Sequence, residues 1–251
     1  MTRPEGWRLV RYSLSFWGVW PAWVMVASQW DVLRQAGIQP DWNLSFLTAG
    51  GTLAIYALDH FTEARTQSHL GLRHFGHPVM HLLLGLSTLF LLGLGLWNLD
   101  PMRLYWLFAL SLSGLAYLLT TWGKIPYLPL LKEVLGAWCF TSLIWIPFGL
   151  PLHTSLPAIF LLGFANFLLA SRQDTTRDVG NAIPSFSQNQ PRTALWLARC
   201  AATGACLFFA LSQPAAPLTF CALAHLAISF SKKIPVDAAF FPLLAVPFLL
   251  A

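Results

Sequence analysis

The chain has 251 residues, of which 56% are hydrophobic and 10% charged, with 12 tryptophans and a formal net charge of +5. Soluble domains carry about 25% charged residues, so this composition excludes an ordinary soluble globule and points to a polytopic membrane protein. The mean hydropathy is +0.59 and the pI about 9.3; that basic balance reads as cationic cytoplasmic loops, with no nucleic-acid partner.

A membrane-spanning helix needs about 20 mostly apolar residues. The first expected span, Tyr12–Trp30, follows Arg8 and Arg11 and reads as a retained signal-anchor. The second, Leu44–Glu63, contains "TAGG" (Thr48–Gly51), small residues suited to close helix contact. It closes on "IYALDHFTEART", where Asp59 and Glu63 stand four apart. Five histidines follow or overlap this stretch: His60, His69, His74, His77 and His81. Their spacing matches no zinc pattern, so interfacial or solvated roles are expected. The third, fourth and fifth spans are Pro78–Trp97, Met102–Trp122 and Pro126–Leu150.

The sixth span, Leu156–Arg172, holds Asn166, a polar group at membrane depth that should look inward. It runs into "SRQDTTRDVGN", where Arg172, Asp174, Arg177 and Asp178 crowd within seven positions. The seventh, eighth and ninth spans are Ala194–Ser212, Pro217–Ser231 and Val236–Ala251. His225 is expected as a buried hydrogen-bonding group, and Asp237 as an N-cap. The last two spans are short; merging them gives eight. Pro21, Pro126, Pro129, Pro147, Pro157 and Pro242 are expected to bend or begin helices. Cys139, Cys200, Cys206 and Cys221 lie in apolar segments without a CxxC pair and read as buried packing residues. No soluble domain or internal repeat stands out. The expectation is one domain over 1–251, an all-α bundle of about nine transmembrane helices with a cytoplasmic polar cap.

With nine spans, thirteen of the fifteen Lys and Arg fall on the side of the N-terminus, leaving Arg34 and Arg103 opposite. Cytoplasmic loops carry such an excess. The N-terminus is therefore expected inside and the C-terminus outside. Asp59, Glu63, Glu133, Asp174, Asp178 and Asp237 gather on the inner side too, and topology does not require that.

Asp59 and Glu63 are four apart, as are Asp174 and Asp178. On a helix that spacing puts each pair on one face. Two such faces turned together would repel unless cations joined them. Mg²⁺ suits the task, since it takes oxygen ligands and bridges carboxylates to phosphates. The plainer alternative is solvated acids paired with Arg65 or Arg177.

The layout resembles the UbiA-type intramembrane prenyltransferase superfamily. That family has nine helices and two Asp-rich motifs, after helices two and six, facing the cytoplasm. Its first motif, N-D-x-x-D-x-x-x-D, aligns with Asp59, His60, Glu63 and Gln67, so only Glu63 keeps an acid at an Asp position. Its second, D-x-x-x-D-x-x-x-D, aligns with Asp174, Asp178 and Ala182. The following "GNAIPSF" is similar to the tail of that motif. "WGKIPYLPLLKEVLGAW" (Trp122–Trp138) resembles the basic segment joining helices four and five.

The resemblance implies Mg²⁺ held by Asp174, Asp178, Glu63 and Asp59. It implies a prenyl diphosphate gripped by Lys124, Lys132, Arg172 and Arg177, with His60 and Asn166 as further contacts. Ionisation and transfer to a lipophilic, membrane-soluble acceptor would follow. Two alternatives come from other classes. One is a homologue that keeps the fold without the chemistry, which His60 and Gln67 favour. The other is a small cation- or proton-coupled transporter, against which the one-sided acids argue.

Overall fold

Pro78, Pro101, Pro191 and Pro217 each stand at the first residue of a helix. A missing N–H is harmless there and the fixed φ suits the turn. Asp41 opens another helix, its Oδ1 accepting from the N–H groups of Asn43 at 2.9 Å and Leu44 at 3.3 Å. In this computed structural model the described residues are 18–66, 78–97, 101–121, 128–145, 155–173, 186–212, 216–231 and 234–250.

They form α1 (Val19–Gln35), α2 (Trp42–Thr66), α3 (Pro78–Leu96), α4 (Pro101–Thr121), α5 (Leu131–Trp145), α6 (Ser155–Gln173), α7 (Pro191–Ser212) and α8 (Pro217–Ile228). A 3-10 helix, Val236–Ala245, then runs into α9 (Val246–Leu250). A single turn, Phe186–Asn189, precedes α7. The described residues are all-helical, with no strand.

Each expected span overlaps one of these elements, with two departures in form. The eighth stops at Ile228 after 12 residues. The ninth is mostly 3-10, with Pro242 inside it; a proline ring blocks the i→i−4 bond and favours the tighter turn. Among the described residues, α6 and α7 are the helices long and apolar enough to cross a membrane.

The helices fall into two compact units, Met1–Val26 with Asp41–Leu99, and Ala27–Pro40 with Asp100–Ala251. In the first, α2 and α3 meet through glycines. A Cβ on Gly95 would lie 2.7 Å from the Leu47 nitrogen and 2.8 Å from the Asn43 carbonyl. Gly50 meets the Leu92 backbone in the same way, while Gly51 faces open space. Within "TAGG" it is therefore Gly50 that makes the close approach. Asn43 Nδ2 ties the end of α3 down by donating to the Trp97 carbonyl at 3.2 Å.

In the second unit, α5 and α6 interlock reciprocally. Gly136 lies under the Phe167 ring, and Gly163 against the Phe140 ring. The helix α7 turns Ala194, Ala198, Ala201, Ala202 and Ala205 inward and leaves Trp196 (63%), Leu207 (59%) and Leu211 (86%) exposed. Tyr105, Phe108, Leu112 and Leu115 make a similar exposed stripe on α4. Small residues on the packed face and large apolar ones on the exposed face is an arrangement that helices in lipid share. Cys139, Cys206 and Cys221 are buried as expected, whereas Cys200 is exposed, on the outward stripe of α7 between Trp196 and Leu207.

Candidate functional site

The helix α2 continues to Thr66, so Asp59, His60 and Glu63 belong to its last two turns. Their side chains, together with Gln67, lie outside the described residues. So do Lys124, Asp174, Arg177 and Asp178; Asp174 directly follows Gln173, the final residue of α6. The histidines from His69 to His81 are also outside the described side chains. Lys132 is half-buried on the first turn of α5, and Arg172 partly exposed on the last turn of α6. Among the described residues, no three His, Cys, Asp or Glu gather where a metal ion would sit.

The start of α5 is set by an unusual backbone. Leu130 has φ of 66°, a left-handed conformation that branched and bulky residues rarely adopt. Its partly buried side chain packs against the apolar cluster that contains Leu168, Phe186 and Ala194. Lys132 and Glu133 follow directly. Glu133 is 1% exposed, and its Oε1 has no hydrogen-bond partner.

At the end of α6, Gln173 makes a two-point clamp. Its Nε2 donates to the Ile234 carbonyl at 2.8 Å, and its Oε1 accepts from the Val236 N–H at 3.0 Å. The segment entering the 3-10 helix is thereby pinned beside Arg172. Arg199, inside α7, donates from Nε to the Ser229 Oγ and from Nη2 to the Ser229 carbonyl, each at 3.3 Å. Its guanidinium also lies 4.0 Å from the Phe230 ring centre. A cation on the last carbonyls of α8 complements the helix dipole.

Asn166 does look inward, and it meets His225. The Asn166 Oδ1 lies 3.1 Å from His225 Nε2, while Nδ1 lies 2.8 Å from the Cys221 carbonyl. A carbonyl only accepts, so Nδ1 carries a proton. A neutral ring then accepts at Nε2 from the Asn166 NH₂, once the carboxamide turns by 180°. The other state, an imidazolium donating at both nitrogens, would put an uncompensated charge in a fully buried position. The pair joins α6 to α8 as a packing device.

Two buried acids are not legible as such in the sequence. Glu133 reads as one more acid of the inner side, and Asp31 as a helix-end acid one residue beyond the first expected span. Asp31 is fully buried. Its Oδ2 accepts from the Leu218 N–H at 3.2 Å and from Gln35 Nε2 at 3.0 Å, and Oδ1 pairs with Arg34 at 3.3 Å. The i+3 and i+4 spacing to Arg34 and Gln35 was the available signal. Comparison with known proteins finds no matching family model, no matching curated protein and no matching solved structure.

Proposed function

We propose that the chain is a nine-span, UbiA-like membrane enzyme that transfers a prenyl group from a prenyl diphosphate to a lipophilic acceptor with Mg²⁺. The observation that carries this is the repeated spacing of acids at two helix ends, Asp59 and Glu63 closing α2 and Asp174 and Asp178 following α6. Metal ions on these carboxylates would neutralise the departing pyrophosphate. Lys124, Lys132, Arg172 and Arg177 would add positive charge where negative charge develops. The exposed apolar stripes suit a bilayer, and the positive-inside count supports a cytoplasmic position for the acids.

The test is pyrophosphate release by the purified chain in lipid, with Mg²⁺ and a panel of prenyl diphosphates and acceptors. Asp178→Asn should abolish turnover without unfolding the protein, because it keeps shape and an acceptor oxygen but removes the metal-holding charge. Wild-type activity unchanged by EDTA, or activity unchanged in Asp178→Asn, refutes the mechanism. Folded protein with no Mg²⁺-dependent prenyl diphosphate binding favours a non-catalytic homologue. A second reading, proton or cation transport, gains from Asp31 and His225, ionisable side chains that are fully buried. Proton uptake by proteoliposomes that is lost in His225→Phe would favour it.

A further inference from the structure

In the second unit, the end of α6, the start of α7 and the end of α8 surround a half-open cavity of about 680 Å³. That volume is in the range of small-molecule sites, about 300–1,000 Å³. Its lining is divided in chemistry. Arg172, Arg192 and Ser231 supply polar groups, while Leu169, Leu195 and Ile228 supply apolar wall. The two arginines come from different helices, Arg172 from the last turn of α6 and Arg192 from the first turn of α7. The positive end of α7 adds to their field. The Gln173 clamp on Ile234 and Val236 holds the fourth wall in place.

We propose that this cleft binds the phosphate group of a membrane amphiphile, the arginines taking the phosphate and the apolar wall the adjoining chain. Arginine's planar fork matches phosphate oxygens in pairs, and charge-assisted bonds of this kind are the strong ones. A soluble anion would gain nothing from Leu169, Leu195 and Ile228; an amphiphile uses both halves of the lining. Basic pockets between helices at the cytoplasmic surface are where anionic lipid headgroups collect. The inference rests on the membrane reading and its topology, not on prenyl transfer. Arg192 has no part in the proposed metal site, so it separates the two.

The experiment is native mass spectrometry of the full-length chain from detergent, with phosphatidylglycerol or phosphatidylcholine added in equal amounts. Wild type should retain phosphatidylglycerol preferentially. Arg192→Gln should weaken that retention about tenfold, the scale of one lost charged hydrogen bond. Arg172→Gln with Arg192→Gln should reduce it to the phosphatidylcholine level, and Arg192→Lys should keep most of it. Thermal unfolding of each variant verifies the fold. Parallel arms with farnesyl diphosphate and with inorganic pyrophosphate identify the source of the phosphate. Displacement of phosphatidylglycerol by farnesyl diphosphate alone assigns the cleft to a prenylated ligand. Displacement by pyrophosphate as effectively as by farnesyl diphosphate would show that the apolar wall takes no part and overturn the amphiphile. Equal retention of the two phospholipids by wild type, or undiminished phosphatidylglycerol in the double variant, overturns the proposal. Loss of phosphatidylglycerol binding in Arg192→Gln with no Mg²⁺-dependent prenyl diphosphate binding would leave this site standing and remove the proposed enzyme.

Discussion

Asp31 Oδ2 accepts a hydrogen bond from the backbone N–H of Leu218 across 187 residues of sequence. The contact satisfies an N–H in the first turn of α8, a turn whose Ala216 N-cap offers no side-chain acceptor. Asp31→Ala should therefore destabilise the protein by about 1–3 kcal/mol, the cost of stranding a buried donor. Asp31→Asn should cost less, since it keeps an acceptor for Leu218. Thermal unfolding in detergent measures both. An Asp31→Ala midpoint equal to that of wild type would remove the Leu218 contact as a source of stability.

The Asn166–His225 pair predicts a coupling. Asn166→Leu leaves His225 Nε2 without its partner and should cost about 1–3 kcal/mol. His225→Phe alone strands the Asn166 amide at similar cost. Combined, the two substitutions place apolar groups against each other and should lose less than the sum of the singles. Additive losses in unfolding midpoints would show that the pair does not couple α6 to α8.

Helix positions were legible in this chain because apolar runs are long and prolines mark their starts, as at Pro78, Pro191 and Pro217. The 3-10 form of Val236–Ala245 was not, because hydropathy reports burial and not the winding of the helix, although Pro242 was a sign. The acidic pairs could be found by spacing alone. Asp31 could not, because its decisive partner is a backbone N–H 187 residues away. Arg192 reads as a loop-flanking charge among many, and only the convergence of three helix ends puts it in a cleft with Arg172.

Glu133 makes a prediction that bears on function. Its Oε1 is buried and without a hydrogen-bond partner, and an unsatisfied buried carboxylate is a liability. Glu133→Gln removes the charge, keeps the shape and should leave stability unchanged or raise it by about 1 kcal/mol. If the unfolding midpoint of the metal-free protein falls instead, the carboxylate has a stabilising partner. If only the Mg²⁺-loaded protein is destabilised, Glu133 belongs with the metal-binding acids.

The topology inferred from the thirteen-to-two distribution of basic residues can be tested at two exposed positions. Ser155 and Ser187 lie in suitable stretches but are buried at 3% and 0% exposure, so they would label poorly from either side. Gln39 and Gln190 are on the surface between helices. Gln39 follows α1 and Gln190 precedes α7, so the nine-span arrangement puts them on opposite faces of the membrane. Cys200 is exposed and must first be replaced by Ala. In that background, Gln190→Cys should react with a membrane-impermeant maleimide only in inside-out vesicles. Gln39→Cys should react only in right-side-out cells. The logic is that basic loops are retained in the cytoplasm, and Arg172, Arg177 and Arg192 all flank Gln190 while Arg34 alone stands near Gln39. Labelling of both positions from one side would require an even number of crossings between them and would end the nine-span arrangement. Labelling from opposite sides in the reverse sense would keep the crossings and invert the chain, moving the acidic pairs and the Arg172–Arg192 cleft to the external face.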